Sequence, residues 1–316
     1  MNTMWLVGTG SVGIEYAKVL DSLNINYIAI GRGEENAQKF ETSSGHVTLR
    51  GGVAKYIATN PQIPTHAIVS VCVEKLSYTA ILLINAGVKN ILLEKPGICE
   101  PHEINELVSV ANDKGANVVL AYNRRFYASV LKAEEIISAD FGVTSFSFEF
   151  TEWAHKIAPV ADGKGRFRKW FLANSTHVVD LAFFLGGKPE QISTFHVGGL
   201  SWHPAASVYS GAGISKNGAL FSYQANWEAP GRWVVEICTK KHRLYLKPME
   251  SLQIQELGSV TINPVIIDDH FDKEFKPGFY LQVKAFMDGE MNRFCTLEEQ
   301  KEMIEKYYLQ ISGYII

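Results

Sequence analysis

Cysteine is scarce in this sequence, and the features that mark secreted or membrane proteins are missing. The 316 residues include four cysteines and no Cys-x-x-Cys pair, which excludes a disulfide framework and favours a reducing compartment. The N-terminus lacks the basic segment and longer apolar run of a secretory signal. No apolar run reaches the roughly 18 residues that cross a membrane. We therefore expect a cytoplasmic protein without a membrane partner.

An excess of charge of either sign is also missing. The formal net charge is −3, so we expect no nucleic-acid partner and no affinity for an acidic membrane surface. Hydrophobic residues make up 47% and charged residues 20% of the chain, as is typical of globular proteins. At roughly 150 residues per domain, the length predicts two domains. We predict no metal site.

Short apolar runs alternate with amphipathic stretches in the first 122 residues. The runs predict buried strands at 5–7, 27–30, 67–73, 90–93 and 117–121, and the stretches between them predict helices at 12–23, 76–86 and 103–114. Such alternation is typical of a parallel sheet with crossover helices. The sequence therefore predicts an α/β Rossmann domain with a parallel, doubly wound sheet over residues 1–122. Cys72 is expected to be a buried small hydrophobe of its third long strand.

The pattern changes after residue 123. Phe146, Phe148 and Phe150 alternate with polar residues over 144–150, which predicts a half-buried strand. Further strands are expected at 192–197, 207–214, 219–226, 233–238 and 243–247, with helices at 126–137, 278–288 and 297–311, the last capped by Thr296. These patterns indicate an α+β C-terminal domain with a mostly antiparallel open sheet over residues 123–316.

The first strand runs into a glycine-rich turn with the spacing Gly-x-Gly-x-x-Gly. Gly8 allows a tight turn, Gly10 lets the backbone approach a pyrophosphate, and Gly13 lets the next helix pack against the strand. The N-terminus of that helix presents free N–H groups to phosphates. In this strand–helix context the motif predicts dinucleotide binding, and a purely structural turn is the alternative. The residues between the glycines are expected to contact the cofactor as well: Thr9, Ser11 and Val12.

The end of the second strand bears on the choice of nicotinamide cofactor. NAD sites usually offer an acid to the ribose 2′-hydroxyl about 20 residues beyond the glycines, but this strand ends at Arg32 with no acid at its tip. Because a planar guanidinium suits a 2′-phosphate, NADP(H) is the preferred cofactor and NAD(H) is the second choice. In the alternative, Arg32 stacks on the adenine or faces solvent, and Glu34 or Glu35 binds the ribose.

A charged pair stands at the end of the fourth strand, in the segment Glu94-Lys95-Pro96. This is the rim at which open α/β sheets bind ligands. The glycine turn, this Glu-Lys-Pro motif and an arginine-containing segment after the next strand together resemble the Gfo/Idh/MocA oxidoreductases. The resemblance spans both domains. It implies hydride transfer between a nicotinamide and a hydroxyl or keto carbon of a sugar, a sugar nucleotide or a polyol, with Cys72, Glu94 and Lys95 as further cofactor contacts.

The resemblance assigns the proton chemistry to Lys95 and His177. An ammonium beside a substrate hydroxyl favours the alkoxide, and an imidazole titrates near working pH. The family often has an aspartate four residues before the histidine, where this chain has Ala173. Either His177 works with Lys95 alone, or Asn174 replaces the acid. Asp180 is expected either to orient the imidazole or to hold a neighbouring backbone.

Two further segments are expected to line the substrate site. After the fifth strand, Asn123 and one of the two arginines beside it bind substrate hydroxyls or a phosphate, and an interdomain ion pair is the alternative. Cations and aromatics at 165–170 suit a sugar with a carboxylate or a phosphate, or they are solvated loop charges. Ser77 stands where relatives often have a histidine near the nicotinamide. The expected substrate contacts are Asn123, Arg124, Arg125, Tyr127, Trp170, Asn174 and His177.

The resemblance leaves other activities open. One is reduction of a non-sugar substrate, similar to biliverdin reductase, and another is glycoside hydrolysis with transient oxidation by tightly bound NAD. A third is NADP sensing without catalysis. Relatives commonly pair through the open face of the second sheet. The phenylalanine-rich strands of this chain are compatible with a homodimer or homotetramer formed in that way.

Overall fold

The chain divides into two units in the computed structural model, which describes residues 3–161 and 165–314. The first unit combines Met1–Tyr122 with Glu274–Lys301, and the second combines Asn123–Lys273 with Glu302–Ile316. The units thus part between residues 122 and 123. The expectation that the second domain holds every later residue is wrong for 274–301.

Strands and helices alternate through the first 122 residues. The strands are β1 (Met4–Val7), β2 (Tyr27–Ile30), β3 (Thr48–Leu49), β4 (His66–Val69), β5 (Asn90–Leu93) and β6 (Asn117–Leu120). The helices are α1 (Ser11–Ser22), α2 (Glu34–Ser44), α3 (Val53–Ile57), α4 (Leu76–Ala86) and α5 (Glu103–Lys114). The periodic segments were predicted closely. α2 was missed because it is largely polar and buries only Ala37 and Phe40, while β3 and α3 are too short to show a period.

The strand β4 is shorter than the apolar run that predicted it. It ends at Val69, after which the Ser70 N–H donates to the Val7 carbonyl at 2.8 Å. The chain then leaves the sheet, and Cys72 is exposed at the start of a 3₁₀ turn over Val73–Lys75. The expectation of a buried Cys72 is therefore wrong, because the end of the apolar run forms a loop at the rim of the sheet.

The second unit contains a larger sheet and the helices around it. Its strands are β7 (Ser145–Glu149), β8 (Pro189–Val197), β9 (Val208–Ser215), β10 (Leu220–Asn226), β11 (Val234–Cys238), β12 (His242–Leu246), β13 (Gln253–Glu256) and β14 (Ile262–Pro264). Its helices are α6 (Ala128–Ala139), α7 (Ala154–Ile157), α8 (Gly165–Arg168), α9 (Thr176–Gly186) and α10 (His270–Glu274), with a π-helical turn at Phe171–Ser175. The helix expected at 126–137 starts later because Tyr127 is extended.

The order of strands in this sheet is β14-β13-β12-β11-β7-β10-β9-β8. All neighbours are antiparallel except β7 and β10, which are parallel. Phe146 and Phe148 of β7 pack against Phe183 of α9, with ring centroids 6.2 and 5.4 Å apart. These two phenylalanines therefore fill the covered face and give no argument for pairing of copies. Phe195 of β8, by contrast, is 69% exposed.

The segment 274–301 belongs to the first unit for two reasons. It forms α11 (Phe279–Asp288), whose Phe279 ring stacks on Tyr16 of α1 with centroids 4.6 Å apart. It also forms β15 (Cys295–Thr296), which pairs antiparallel with β6. The last helices follow as α12 (Leu297–Met303), a π-helical turn at Ile304–Tyr308 and α13 (Leu309–Ser312). The expected cap is confirmed, since the Glu299 N–H donates to Thr296 Oγ1 at 3.1 Å.

The order in which strands are added to the sheet of the first unit reverses at β1. Its order is β15-β6-β5-β4-β1-β2-β3, and β1 pairs in parallel with both β2 and β4. The chain thus adds β2 and β3 on one side of β1 and then β4, β5 and β6 on the other side. Open parallel sheets bind ligands at such a switch point, at the carboxyl ends of the strands. The glycine turn begins at the carboxyl end of β1.

A buried histidine of the second unit gives a testable pH dependence. His203 is 0% exposed, its Nδ1 lies 3.0 Å from the Ala206 carbonyl and its Nε2 lies 2.9 Å from the Tyr314 hydroxyl. Burial lowers the pKa of His203 to about 4, against about 6.5 in an unfolded chain. Because the unfolded chain takes up the proton first, we expect His203 to cost up to roughly 3 kcal/mol of stability as the pH falls through this window.

The measurement is the urea midpoint of the wild type and of His203→Gln between pH 7 and pH 4. Glutamine carries no titrating charge, so the variant is expected to lose less stability on acidification. Equal pH dependence in the two proteins would contradict the assignment.

Candidate functional site

The three glycines of the first turn meet different surroundings. Gly8 has a φ of +114°, and a Cβ there would lie 2.5 Å from the Ser70 carbonyl oxygen. A Cβ on Gly13 would lie 2.0 Å from the Gly8 carbonyl oxygen. A Cβ on Gly10 would meet nothing within 4 Å. Packing thus accounts for Gly8 and Gly13, whereas Gly10 faces open space. This is the environment expected of a glycine whose backbone is approached by a pyrophosphate.

The N-terminus of α1 is available to a ligand. Gly10 is its cap residue, no side chain bonds to the cap, and the first turn carries no acid. Thr9 is buried with its hydroxyl against Gly31, while Ser11 is exposed and Val12 is partly exposed. The free N–H groups and the positive end of the helix dipole suit a phosphate. The residues present therefore fit a dinucleotide.

The carboxyl end of β2 places a cation near this turn. Arg32 is exposed directly after the strand. Both acids that were considered for the ribose have partners: Glu34 accepts from Arg50 Nε at 2.7 Å, and Glu35 accepts from Lys39 at 2.6 Å. Hydrogen bonds from Arg50 and Gln38 lower the pKa of Glu34. These contacts favour Arg32 over the two glutamates as the residue that binds the adenosine ribose or its 2′-phosphate.

The Glu-Lys-Pro segment follows β5 and is held from two sides. Tyr16, fully buried, donates its hydroxyl to Glu94 Oε1 at 2.7 Å. Gln300 donates to the Pro96 carbonyl at 2.9 Å, and Tyr122 donates to Gln300 at 3.2 Å. The backbone around Lys95 is therefore fixed by buried hydrogen bonds, as a positioned catalytic group requires.

Burial shapes the charge of this segment. It raises the pKa of Glu94, while the Tyr16 hydroxyl, Lys95 and Lys276 act in the opposite direction. Burial beside Glu94 also raises the pKa of Tyr16. Cys72 lies at the carboxyl end of β4, the strand between β1 and β5. The expected cofactor contacts of the first unit thus follow neighbouring parallel strands at one edge of the sheet, while Ser77 is buried in α4.

The helix of His177 begins with an unusual turn in the second unit. Residues 171–175 are π-helical and run directly into α9. Turns of this kind are rare in proteins, and those that occur often lie at functional sites. His177 stands in the first turn of α9, is 8% exposed, and has its ring centroid 6.1 Å from that of Trp233.

A buried carboxylate that the sequence analysis missed lies beside this turn. Glu152 is 2% exposed and accepts from Asn174 Nδ2 at 2.9 Å and from Ser175 Oγ at 2.8 Å. Burial raises its pKa, and Ser175, Arg232, Asn174 and Trp170 oppose that shift. Asn174 therefore does not substitute for an acid but binds one. The available signal was a charged residue shortly after a predicted strand, since Glu152 stands two residues after the strand expected at 144–150.

Asp180 and Arg125 form an ion pair within the second unit. Arg125 donates from Nη2 to Asp180 Oδ1 at 2.6 Å and from Nε to Oδ2 at 2.9 Å, and the two side chains are 4% and 1% exposed. Both carboxylate oxygens of Asp180 thus accept hydrogen bonds from the Arg125 guanidinium. This geometry is that of a buried ion pair, so it supports a structural role for Asp180 and Arg125 over the alternatives that Asp180 orients the imidazole and that Arg125 binds substrate.

The other arginine of this segment stands in a group of aromatic rings. The Arg124 Cζ lies 4.6 Å from the centroid of the Trp233 ring and 5.8 Å from that of Tyr127. Its Nη1 donates to Asn123 Oδ1 at 3.3 Å. Arg232 also lies over Trp233, at 4.4 Å. Asn123, Arg124 and Tyr127 are thus together as expected, and Arg232 and Trp233 were missed.

The cations at 165–170 lie on aromatic rings. Arg166 is 4.7 Å from the Phe167 ring and Lys169 is 4.6 Å from the Tyr314 ring. Trp170 stacks on Phe167 with centroids 5.5 Å apart. This segment is therefore a packed cluster, and Trp170 contributes to the surroundings of Glu152.

The described part of the chain shows neither a metal-binding cluster nor a membrane-spanning helix. Residues 3–161 and 165–314 hold no group of three histidine, cysteine, aspartate or glutamate side chains arranged to bind a metal ion. Within the same ranges, every helix is too short or too polar to cross a membrane.

Known proteins resemble this chain in structure. No protein-family model and no curated protein matches its sequence. A UDP-N-acetylglucosamine 3-dehydrogenase from Acidithiobacillus ferrooxidans is 14% identical, with a TM-score of 0.75 over 98% of this chain and 96% of that one. A levoglucosan dehydrogenase, solved with NADH and levoglucosan, is 16% identical, with a TM-score of 0.76 over 99% and 96%. A dehydrogenase from Clostridium difficile is 17% identical, with a TM-score of 0.76 over 98% of each chain.

At these identities the comparison shows a shared fold. The solved structures are oxidoreductases of the Gfo/Idh/MocA type. The architecture expected from the resemblance, a Rossmann unit joined to an α+β unit with a mostly antiparallel sheet, is therefore confirmed.

The ion pair of Arg125 and Asp180 predicts a loss of stability rather than of chemistry. Asp180→Asn leaves the guanidinium buried without a counter-charge, so we expect a destabilisation of about 3–5 kcal/mol. The matched control is Glu135→Gln, which breaks the exposed pair of Glu135 with Lys132 on α6 and is expected to cost under about 1 kcal/mol. Urea unfolding measures both. A stable Asp180→Asn protein with an altered pH–rate profile would instead support a role for Asp180 beside the imidazole.

Proposed function

We propose that this chain is an NAD(P)(H)-dependent oxidoreductase that acts on a hydroxyl or keto carbon of a sugar, a sugar nucleotide or a polyol. The observation that carries the proposal is Gly10, which faces open space at the uncapped N-terminus of α1, at the switch point of the parallel sheet. The solved structures with this fold include dehydrogenases of levoglucosan and of UDP-N-acetylglucosamine, which supports a carbohydrate substrate.

The proton chemistry falls to Lys95 and His177. The nicotinamide, when bound, accepts or donates the hydride. The Lys95 ammonium stabilises the alkoxide that forms as a substrate hydroxyl loses its proton, and the backbone that carries it is held by Gln300. The His177 imidazole takes or returns that proton as a general base or acid. This assignment follows the family resemblance. The buried hydrogen bonds that hold the backbone beside Lys95 support it, as does the place of His177 directly after a π-helical turn.

We further propose NADP(H) as the preferred cofactor, a cytoplasmic location and pairing of two or four copies through the open face of the second sheet. The cofactor preference is supported by exposed Arg32 and by the partners that Glu34 and Glu35 already have. The open face carries small and polar side chains such as Ser147, Ser222 and Gln224.

The preference for NADP(H) is tested at Arg32. Removal of this guanidinium takes away a charge-assisted contact to the 2′-phosphate, so Arg32→Ala is expected to raise the KM for NADPH about 10- to 100-fold and to leave the KM for NADH unchanged. Lys284→Ala is the control, since it removes an equal charge from the exposed surface of α11, where Lys284 pairs with Asp288. A wild-type preference for NADH that survives Arg32→Ala would contradict the proposal.

The catalytic assignment is tested by Lys95→Ala and His177→Ala. Loss of a proton-transfer group lowers kcat by about 10²- to 10⁴-fold, while the affinity for NADPH stays close to that of the wild type for His177→Ala. His203→Gln, at a second buried histidine of the same unit, is expected to keep its kcat at neutral pH. The assay is reduced-nicotinamide absorbance with sugars, sugar nucleotides and polyols. A protein that binds NADPH but turns over none of them would instead be a sensor.

A further inference from the structure

Two arginines share one tryptophan at an edge of the second unit. Trp233 is 7% exposed, with the Arg124 Cζ 4.6 Å and the Arg232 Cζ 4.4 Å from its ring centroid. Arg232 also lies 4.6 Å from the ring of Trp153, which is 47% exposed. Aromatic rings hold the two guanidinium groups in place without neutralising their charge. The cluster is therefore rigid and cationic.

Hydrogen-bonding capacity in this cluster is unused. Within residues 3–161 and 165–314, Arg124 Nε and Trp233 Nε1 are buried donors that have no hydrogen-bond partner. Unsatisfied buried donors are rare in native proteins, and each one calls for an explanation such as a missing ligand. Two of them on neighbouring side chains indicate that an acceptor belongs here.

The acids near the cluster do not meet this demand. Glu152 lies 3.7 Å from Arg232 Nη1, but its oxygens already accept from Asn174 and Ser175. Burial lowers the pKa of Arg124, and the charges of Tyr127, Glu250 and Glu152 oppose that shift. Arg232 keeps 45% of its side chain exposed. An incoming oxyanion can thus reach Arg232, and Arg124, whose Nε is buried, lies over the same tryptophan ring.

We infer that Arg124, Arg232 and Trp233 bind an anionic group of the substrate, so the substrate is a carbohydrate that carries a carboxylate or a phosphoryl group. Guanidinium groups bind both of these anions through paired N–H donors. The Trp153 ring, which is 47% exposed, offers apolar surface to the sugar beside it. This inference rests on the proposed function, since it names the substrate class of that enzyme.

The test is binding of three hexoses to the full chain, measured by titration calorimetry: D-glucose, D-glucuronate and D-glucose 6-phosphate. The two acidic sugars separate a carboxylate from a phosphoryl group, and inorganic phosphate is titrated to show whether the anion alone suffices. The variants are Arg232→Gln, Arg232→Lys and Arg124→Gln. Arg243→Gln is the matched control, because Arg243 also lies over an aromatic ring of this unit, 5.4 Å from that of Tyr245, and pairs with Glu236.

At least one acidic sugar is expected to bind more tightly than glucose. Arg232→Gln and Arg124→Gln are each expected to weaken that binding about 10- to 100-fold, with a smaller loss for Arg232→Lys because lysine keeps the charge but not the paired donors. Arg243→Gln is expected to bind as the wild type does. Since Arg232 is exposed, its variants test the site even if Arg124→Gln does not fold.

Three results would overturn the inference: equal affinity for glucose and the acidic sugars, no binding of either acidic sugar, or unchanged binding after both arginine substitutions. Each result is independent of turnover. A chain that oxidises neutral polyols but fails these titrations keeps the proposed function and loses the anionic substrate. A chain that binds an acidic sugar through Arg232 but never reduces or oxidises it loses the proposed function.

Discussion

The close approach of α1 to β1 is the constraint on which the first unit depends. A side chain on Gly13 would collide with the Gly8 carbonyl oxygen, and a side chain on Gly8 would collide with the backbone of Ser70. The helix can therefore start directly at the carboxyl end of β1. Its N-terminus then lies at the edge to which the other parallel strands also run. Arg32, Cys72 and Lys95 follow three of those strands, so the parallel pairing brings them to the same edge as the N-terminus of α1.

Local pattern was enough to predict most of this framework. Helices α4 and α5 and strands β2 and β5 have the predicted bounds, because their apolar residues repeat with one clear period. The hydrophobic pattern failed where apolar residues do not lie in a regular buried element. The run 67–73 is apolar except for Ser70, yet its last residues form a loop at the rim of the sheet, which the hydrophobicity of single residues does not reveal. The return of 274–301 to the first unit depends on the pairing of Cys295 with Leu120, a long-range contact without a local signal.

The residues of the candidate site divide in the same way. Those within sequence motifs, such as the glycines and Lys95, were found because backbone geometry and chain order fix their spacing. Glu152, Arg232 and Trp233 were missed because the pairing of strands brings them together. β7 and β11 are antiparallel, with Glu149 opposite Val234, so the residues just after β7 lie beside those just before β11. This register places a carboxylate, two indoles and a guanidinium in one group, although about eighty positions separate them in the chain.

The same register accounts for the departure at residue 173. The family resemblance predicts an acid on the histidine helix, whereas the buried acid beside this helix is Glu152, three residues after the end of β7. Its buried charge needs donors, and Asn174 and Ser175 supply them from the π-helical turn. An aspartate at 173 would add a second acid to the same buried turn, and two carboxylates in such surroundings raise each other's pKa. Alanine at position 173 therefore avoids a second buried carboxylate beside Glu152.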